Sequence, residues 1–140
     1  MRTLGRLLLG GFFIYNGVHH FQQTKSMAGY AAAKGVPKPE IAIKATGTML
    51  LLGGSMLALG VKPKYGALLI AGFLAGVSPV MHDFWAQENP EQRMNEEINF
   101  AKNMALLGAA LAIGGAEEKV KEVKAQVEHP RERRRLHKAA

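Results

Sequence analysis

Two short polar clusters hold most of the side chains in this sequence that could do chemistry. His19 and His20 end one apolar stretch, and His82 and Asp83 end another. An imidazole can hold a ligand, a metal ion or a proton near neutral pH, and a carboxylate beside it can fix its tautomer. The candidate contacts for a bound cofactor, either a quinone or a pigment, are these residues and three that follow: His19, His20, His82, Asp83, Trp85, Lys102 and Asn103.

Both clusters also have an interpretation without chemistry. His19 and His20 could be interfacial residues at the end of a helix. Adjacent residues on a helix do not face each other, so Asp83 is expected to pair with a residue elsewhere, such as Lys102, Lys44 or His20. Such a pair could be structural or could handle protons. Catalytic residues therefore stay unknown.

Trp85 and Asn103 have structural roles open to them as well. A tryptophan at the end of an apolar segment is typical of the aromatic belt at a membrane surface. An asparagine inside such a segment is typical of a hydrogen bond between helices. The sequence has no cysteine, no Ser-His-Asp arrangement, no phosphate-binding loop and no HExxH motif. Thiol and hydrolase chemistry and a metal site are therefore not predicted, and an enzyme is the less favoured reading.

Four apolar segments position these clusters, at about 4–21, 41–59, 65–84 and 98–116. Each is near the roughly 20 residues that cross a hydrocarbon core. They lack the polar stripe of a helix in a soluble bundle. We predict an all-α fold, a four-transmembrane-helix bundle, with a short helix at 27–34. A cleaved signal peptide is the alternative for the first segment. The GxxxG spacing of Gly72 and Gly76 would allow two helices to approach closely.

Charge is concentrated at the C-terminus. The chain has 140 residues and a net charge of +7, and residues 117–140 hold 13 of the 29 charged side chains. We divide the chain into a membrane domain, 1–116, and a basic, charged tail, 117–140. Twelve of the eighteen Lys and Arg residues fall on the side of the two termini, which places both termini in the cytoplasm. The tail has no nucleic-acid-binding module, so anionic lipid or a partner protein is its expected contact.

Several runs, taken in order, resemble the DoxX family of membrane proteins. They include YNGVHHF at 15–21, MHDFW at 81–85 and FAKNMALLG at 100–108, and together they span about 4–115. The resemblance implies a four-helix, multi-pass protein of the bacterial inner (cytoplasmic) membrane, associated in some relatives with quinone-linked sulfur oxidation or oxidative-stress complexes. Some relatives in the wider superfamily use cysteine pairs, which this chain lacks. A redox role would therefore need a bound quinone or a cofactor-bearing partner.

Three functions remain open on this basis. The favoured one is a non-catalytic, accessory subunit of a larger respiratory, photosynthetic or sulfur-oxidising membrane complex, in contact with the lipid bilayer and other membrane subunits. The alternative is a small quinone-linked oxidoreductase or its membrane anchor, in which His20, His82 and Asp83 contact the quinone head. A small-solute transporter is the weaker alternative. No cofactor is intrinsic to the chain in the favoured case, and quinone is the one that would fit.

Overall fold

The described chain is helical throughout. The computed structural model describes the backbone of residues 2–139 and the side chains of residues 3–116, 119, 120, 122 and 123. The helices are α1 (Arg2–Gln22), α2 (Thr24–Ala33), α3 (Pro39–Leu59), α4 (Pro63–Met81) and α5 (Pro90–Ala139), with a 3₁₀ turn at Phe84–Ala86. No strand occurs within 2–139. The predicted all-α class is confirmed.

Prolines start two of the long helices. Pro39 and Pro63 occupy the first turns of α3 and α4, after Lys38 and Lys62 in the left-handed conformation at φ 48° and 47°. A proline fits there because the first helical N–H groups have no partner within the helix. Both helices therefore begin two residues before the predicted apolar segments. Gly60, at φ 68°, ends α3.

Three helices are long and apolar enough to cross a membrane. In the described residues they cover Pro39–Leu59, Pro63–Ala86 and Pro90–Ala116. α1 does not meet that standard, since Arg6, Asn16 and two histidines interrupt its apolar residues. Three of the four predicted spans are thus supported by length and composition. α5 continues past residue 116 to Ala139, and the division of the chain at 116/117 stays a prediction.

Glycines bring α1 and α3 together in antiparallel contact. A Cβ atom on Gly10 would lie 2.6 Å from the carbonyl oxygen of Gly54, and one on Gly17 would lie 3.0 Å from that of Gly47. No side chain fits at either level, so these glycines allow the backbones to touch. The same holds between α3 and α4, where a Cβ atom on Gly53 would lie 3.0 Å from a backbone carbonyl of α4.

The GxxxG spacing of Gly72 and Gly76 does not bring together any two of the described helices. A Cβ atom on Gly76 would meet nothing within 4 Å, and one on Gly72 would meet only the end of Met49, at 3.8 Å. α4 buries a different face, which includes Ile70 and Leu74. The spacing of two glycines does not say which face of the helix meets a neighbour.

The core is small and joins all four long helices. Its buried members are Phe13 from α1, Leu50 and Leu57 from α3, an alanine of α5 and several residues of α4. A second cluster forms where Ala28 and Ala31 of α2 pack on α3. Many large apolar side chains on the long helices remain exposed. An extensive apolar exterior is typical of a surface that contacts lipid.

Candidate functional site

A cavity of about 630 Å³ lies at the end of the bundle where α1 and α4 end and where α3 and α5 begin. All five helices contribute to its wall, and most of the lining side chains are apolar. Its volume is within the range of about 300–1,000 Å³ that is usual for small-molecule sites. The polar residues in its lining are Asn16, His20, Ser26, Tyr30, Thr46, His82 and Asn103.

His20 is the most deeply placed of these groups. It is 7% exposed, and its ring lies edge-on to Phe73 at 5.9 Å between centroids. Its Nδ1 lies 2.8 Å from the backbone oxygen of Asn16, one helical turn back. A Cβ atom on Gly47 would lie 2.8 Å from the Cβ atom of His20. The missing side chain at Gly47 therefore leaves the space that His20 occupies.

His82 reaches the same cavity from the end of α4. Its Nδ1 lies 2.7 Å from Oε2 of Glu96, near the start of α5, and both side chains are partly exposed. Sequence reasoning did not single out Glu96, which is one of several glutamates in an acidic loop and helix start. Its position held one usable signal: Glu96 and Asn103 are seven residues, about two turns, apart and so share a face of α5.

Asp83 lies outside the cavity wall and joins α4 to α2. It accepts hydrogen bonds from the ammonium group of Lys34 and, at 2.9 Å, from the side-chain amide of Gln87. The predicted pairing with Lys102, Lys44 or His20 is wrong, because α4 ends at Met81 and the chain turns there towards the end of α2. The hydrogen bond to Asp83 raises the pKa of Lys34 above its ordinary value.

α2 covers the cavity. Tyr30 lines the cavity and donates a hydrogen bond to the backbone oxygen of Met81 at 3.4 Å. Lys34, immediately after α2, forms the ion pair with Asp83. Two polar contacts thus hold the covering helix to the end of α4, in addition to its apolar contacts with α3.

The other candidate residues lie away from the cavity. His19 stacks on Tyr15 at 6.0 Å between ring centroids. Trp85 packs edge-on against Phe100, also at 6.0 Å, and Lys102 is exposed. The structure therefore brings His20, His82 and Asn103 together in one cavity lining, and leaves His19, Asp83, Trp85 and Lys102 outside it.

The cavity opens at an apolar part of the surface. Phe12 on α1 and Val80 on α4 both line it and are 46% and 39% exposed. Gly72 and Gly76 line it too and are exposed, so the wall is thin there. The three α4 residues belong to the candidate span Pro63–Ala86. In the part of the chain that is described, no three His, Asp or Glu side chains are grouped so that they could hold a metal ion.

The family model described as DoxX matches residues 1–83. The chain belongs to the DoxX family. The matched range of this DoxX protein takes in α1 to α4 and ends at the second polar cluster, so that the resemblance stated for residues 100–108 stays a prediction. No curated protein and no solved structure matches the chain.

Proposed function

We propose that this DoxX protein is a four-span subunit of a bacterial inner-membrane complex and binds a quinone-type ring in its cavity. The cavity carries the proposal, because its apolar wall holds a few polar groups, His20, His82 and Asn103 among them. An apolar wall favours a ring with a prenyl tail, and a few polar groups suit the oxygens of its head.

The position of the opening supports a ligand that arrives from the bilayer. Phe12, Gly76 and Val80 border the cavity and are exposed, and the part of α4 that holds two of them is a candidate span. A lipid-soluble ring could therefore enter between α1 and α4 without crossing water. α2 covers the same cavity from the membrane surface.

The proposed fourth span is α1. Its own composition is less apolar than that of α3, α4 and α5. It nevertheless contacts α3 at Gly10 and again at Gly17, two turns away, in antiparallel register. A helix that touches a membrane span at two depths occupies the same depths of the bilayer. Two polar residues of α1, Asn16 and His20, line the cavity, as polar groups within membrane segments usually face the interior of a bundle.

An accessory role in a complex accounts for the electron balance of a quinone site. The chain has no cysteine, so none of its side chains is a thiol that could exchange electrons with the ring. We assign that exchange to a redox group on a partner subunit. Purification of the tagged protein from its native membrane in a mild detergent should yield stoichiometric partner subunits. Recovery of the monomer alone would contradict this part of the proposal.

The cavity can be filled without disturbing helix packing. Gly76 lines the cavity at its opening, and a Cβ atom there would meet no atom within 4 Å, so Gly76→Leu adds side-chain volume at the cavity without displacing a neighbouring helix. We expect this variant to bind a short-chain quinone at least about tenfold more weakly, because the ring loses its space. The measurement is equilibrium binding to the protein in nanodiscs.

Gly108→Leu is the matched control. A Cβ atom on Gly108 also meets nothing within 4 Å, but Gly108 does not line the cavity. It should bind quinone as the parent protein does. Equal affinity of both variants and the parent, or no quinone binding by any of them, would rule out this cavity as a quinone site.

A further inference from the structure

We infer that the cavity selects a ring that carries hydroxyl groups, and so binds the reduced hydroquinone in preference to the quinone. The inference rests on the proposed function, since it concerns the head group of the ligand in the same cavity. The inference follows from which atoms of the polar lining groups carry a hydrogen and which carry a free lone pair.

His20 presents a hydrogen-bond acceptor. A backbone carbonyl only accepts, so the 2.8 Å contact with Asn16 requires the hydrogen to be on Nδ1 of His20. The ring is 7% exposed, and its described contacts are a backbone oxygen and the Phe73 ring. Without a carboxylate beside it, a buried imidazolium would be costly. The neutral ring then has its lone pair on Nε2.

Three further groups in the cavity lining each donate a hydrogen bond to a backbone carbonyl oxygen. The amide of Asn16 donates to Phe12 at 2.8 Å. The hydroxyl of Thr46 donates to Ala42 at 2.8 Å, and that of Tyr30 donates to Met81 at 3.4 Å. The two hydroxyl oxygens keep lone pairs after donating and can still accept.

Glu96 sets the tautomer of His82 in the same sense. Its carboxylate accepts from Nδ1 of His82 at 2.7 Å, so that in the neutral ring the lone pair lies on Nε2. A carboxylate on one imidazole nitrogen fixes which nitrogen is left for a ligand. Glu96 is therefore a positioning residue, which acts on the ligand through His82.

The lone pairs on Nε2 of the two imidazoles discriminate between the two forms of a quinone, while the amides of Asn16 and Asn103 have N–H groups that can donate to either form. Carbonyl oxygens have only lone pairs to offer, so a quinone oxygen placed against Nε2 of His20 or His82 would leave both atoms unpaired. The two hydroxyls of the hydroquinone supply the missing hydrogens. Leaving buried polar groups unpaired is costly enough to change affinity by about tenfold or more. A hydroxylated ring lipid offers the same donor.

The test compares head groups on the full-length protein in nanodiscs under anaerobic conditions. The ligands are a short-chain hydroquinone, the matching quinone, the dimethyl ether of the hydroquinone and a sterol-like ring alcohol. We expect the hydroquinone to bind at least about tenfold more tightly than the quinone and the ether. A ring alcohol that binds equally well would support selection for donors and identify hydroxylated lipids as a second source.

Glu96→Gln tests the positioning residue. The glutamine amide can donate to Nδ1, which allows the tautomer with a hydrogen on Nε2 of His82. The preference for hydroquinone over quinone should then fall by about fivefold, while His20 preserves part of it. Glu97→Gln removes the same charge from the adjacent, exposed position and should leave the preference unchanged.

The outcomes separate this inference from the proposed function. Equal affinities of the parent protein for hydroquinone and quinone would overturn the inference and leave the quinone site standing. Absence of binding by either form would overturn the proposed function itself. An unchanged preference in Glu96→Gln, or an equal change in Glu97→Gln, would remove Glu96 from the recognition of the head group.

Discussion

The ion pair between Lys34 and Asp83 is the polar contact that most directly holds α2 over the cavity. Its two ends lie in segments that are 49 residues apart in the chain. Both side chains are partly exposed, so solvent screens the pair and its contribution to stability is expected to be small. That is too little to decide the fold, but it is enough to change how often α2 opens.

Removal of the charge should loosen α2 alone. In Lys34→Met we expect amide hydrogen exchange in residues 24–33 to be up to about fivefold faster, because loss of a partly exposed ion pair makes the opening of α2 more frequent. Lys25→Met, on an exposed position of the same helix, is the control. Similar exchange in the two variants would show that the ion pair does not hold α2. The exchange should be restored in the charge-reversed double variant Lys34→Asp, Asp83→Lys.

The pH dependence of this contact follows from the raised pKa of Lys34. A group whose pKa is higher in the folded protein contributes stability below its unfolded pKa and loses it as the pH rises through the folded value. The contribution of Lys34 is therefore complete at neutral pH and is lost in strongly alkaline solution. The same contact is also lost in acid, when the carboxylate of Asp83 takes up a proton. The same exchange measurement, made across the alkaline range, should show the loss in the parent protein and not in Lys34→Met.

At the level of single residues, the sequence indicated the groups but not their pairs. The chain order of apolar segments is enough to bring His20, His82 and Asn103 to one end of a bundle. The partner of Asp83 was predicted wrongly and Glu96 was missed, because the chain direction after Met81 decides both contacts. No local pattern encodes that direction.

Among the helix contacts, the one between α1 and α3 depends most on glycines. A Cβ atom on Gly10 would lie 2.6 Å from the oxygen of Gly54 and 2.8 Å from the Cβ atom of Ala58. Gly10→Ala should therefore destabilise the protein by about 1–3 kcal/mol, since backbone atoms cannot move aside. The measurement is thermal unfolding in detergent, followed by the loss of helical circular dichroism.

Gly11 provides the matched control at the next position. A Cβ atom there would meet nothing within 4 Å. Gly11→Ala should be neutral or should stabilise the helix by up to about 1 kcal/mol, because alanine loses less backbone freedom than glycine on folding. Equal unfolding temperatures for the two variants would contradict the contact between α1 and α3.

Apolar runs predicted α1, α3 and α4 well, whereas α5 begins at Pro90, before the run at 98–116, and continues beyond it to Ala139. The run that begins at residue 41 belongs to a helix that begins at Pro39, and the expected short helix at 27–34 is found at Thr24–Ala33. Proline at the first turn explains the earlier start. The cavity was beyond sequence reasoning, because it depends on which faces of α1 and α4 stay apart. The same limitation applies to Gly72 and Gly76, because their spacing does not say which face of α4 meets a neighbouring helix.

For the whole molecule, the open question is how many times the chain crosses the bilayer. The absence of cysteine makes single introduced cysteines unambiguous reporters. With four spans, Thr3→Cys and Val61→Cys should react with an impermeant maleimide only from the cytoplasm. Gln23→Cys and Glu88→Cys should react only from the outside. Labelling of residues 3 and 23 from the same side would show that α1 does not cross.

The absence of side chains at Gly72 and Gly76 affects how the sequence of this protein can change. Helix contacts in the bundle do not depend on these two positions, yet the width of the cavity does. A substitution there would alter which ring fits and leave the fold as it is. The range of ligands and the stability of the fold thus depend on different positions of the chain. Selection can therefore change the range of ligands while the stability is kept.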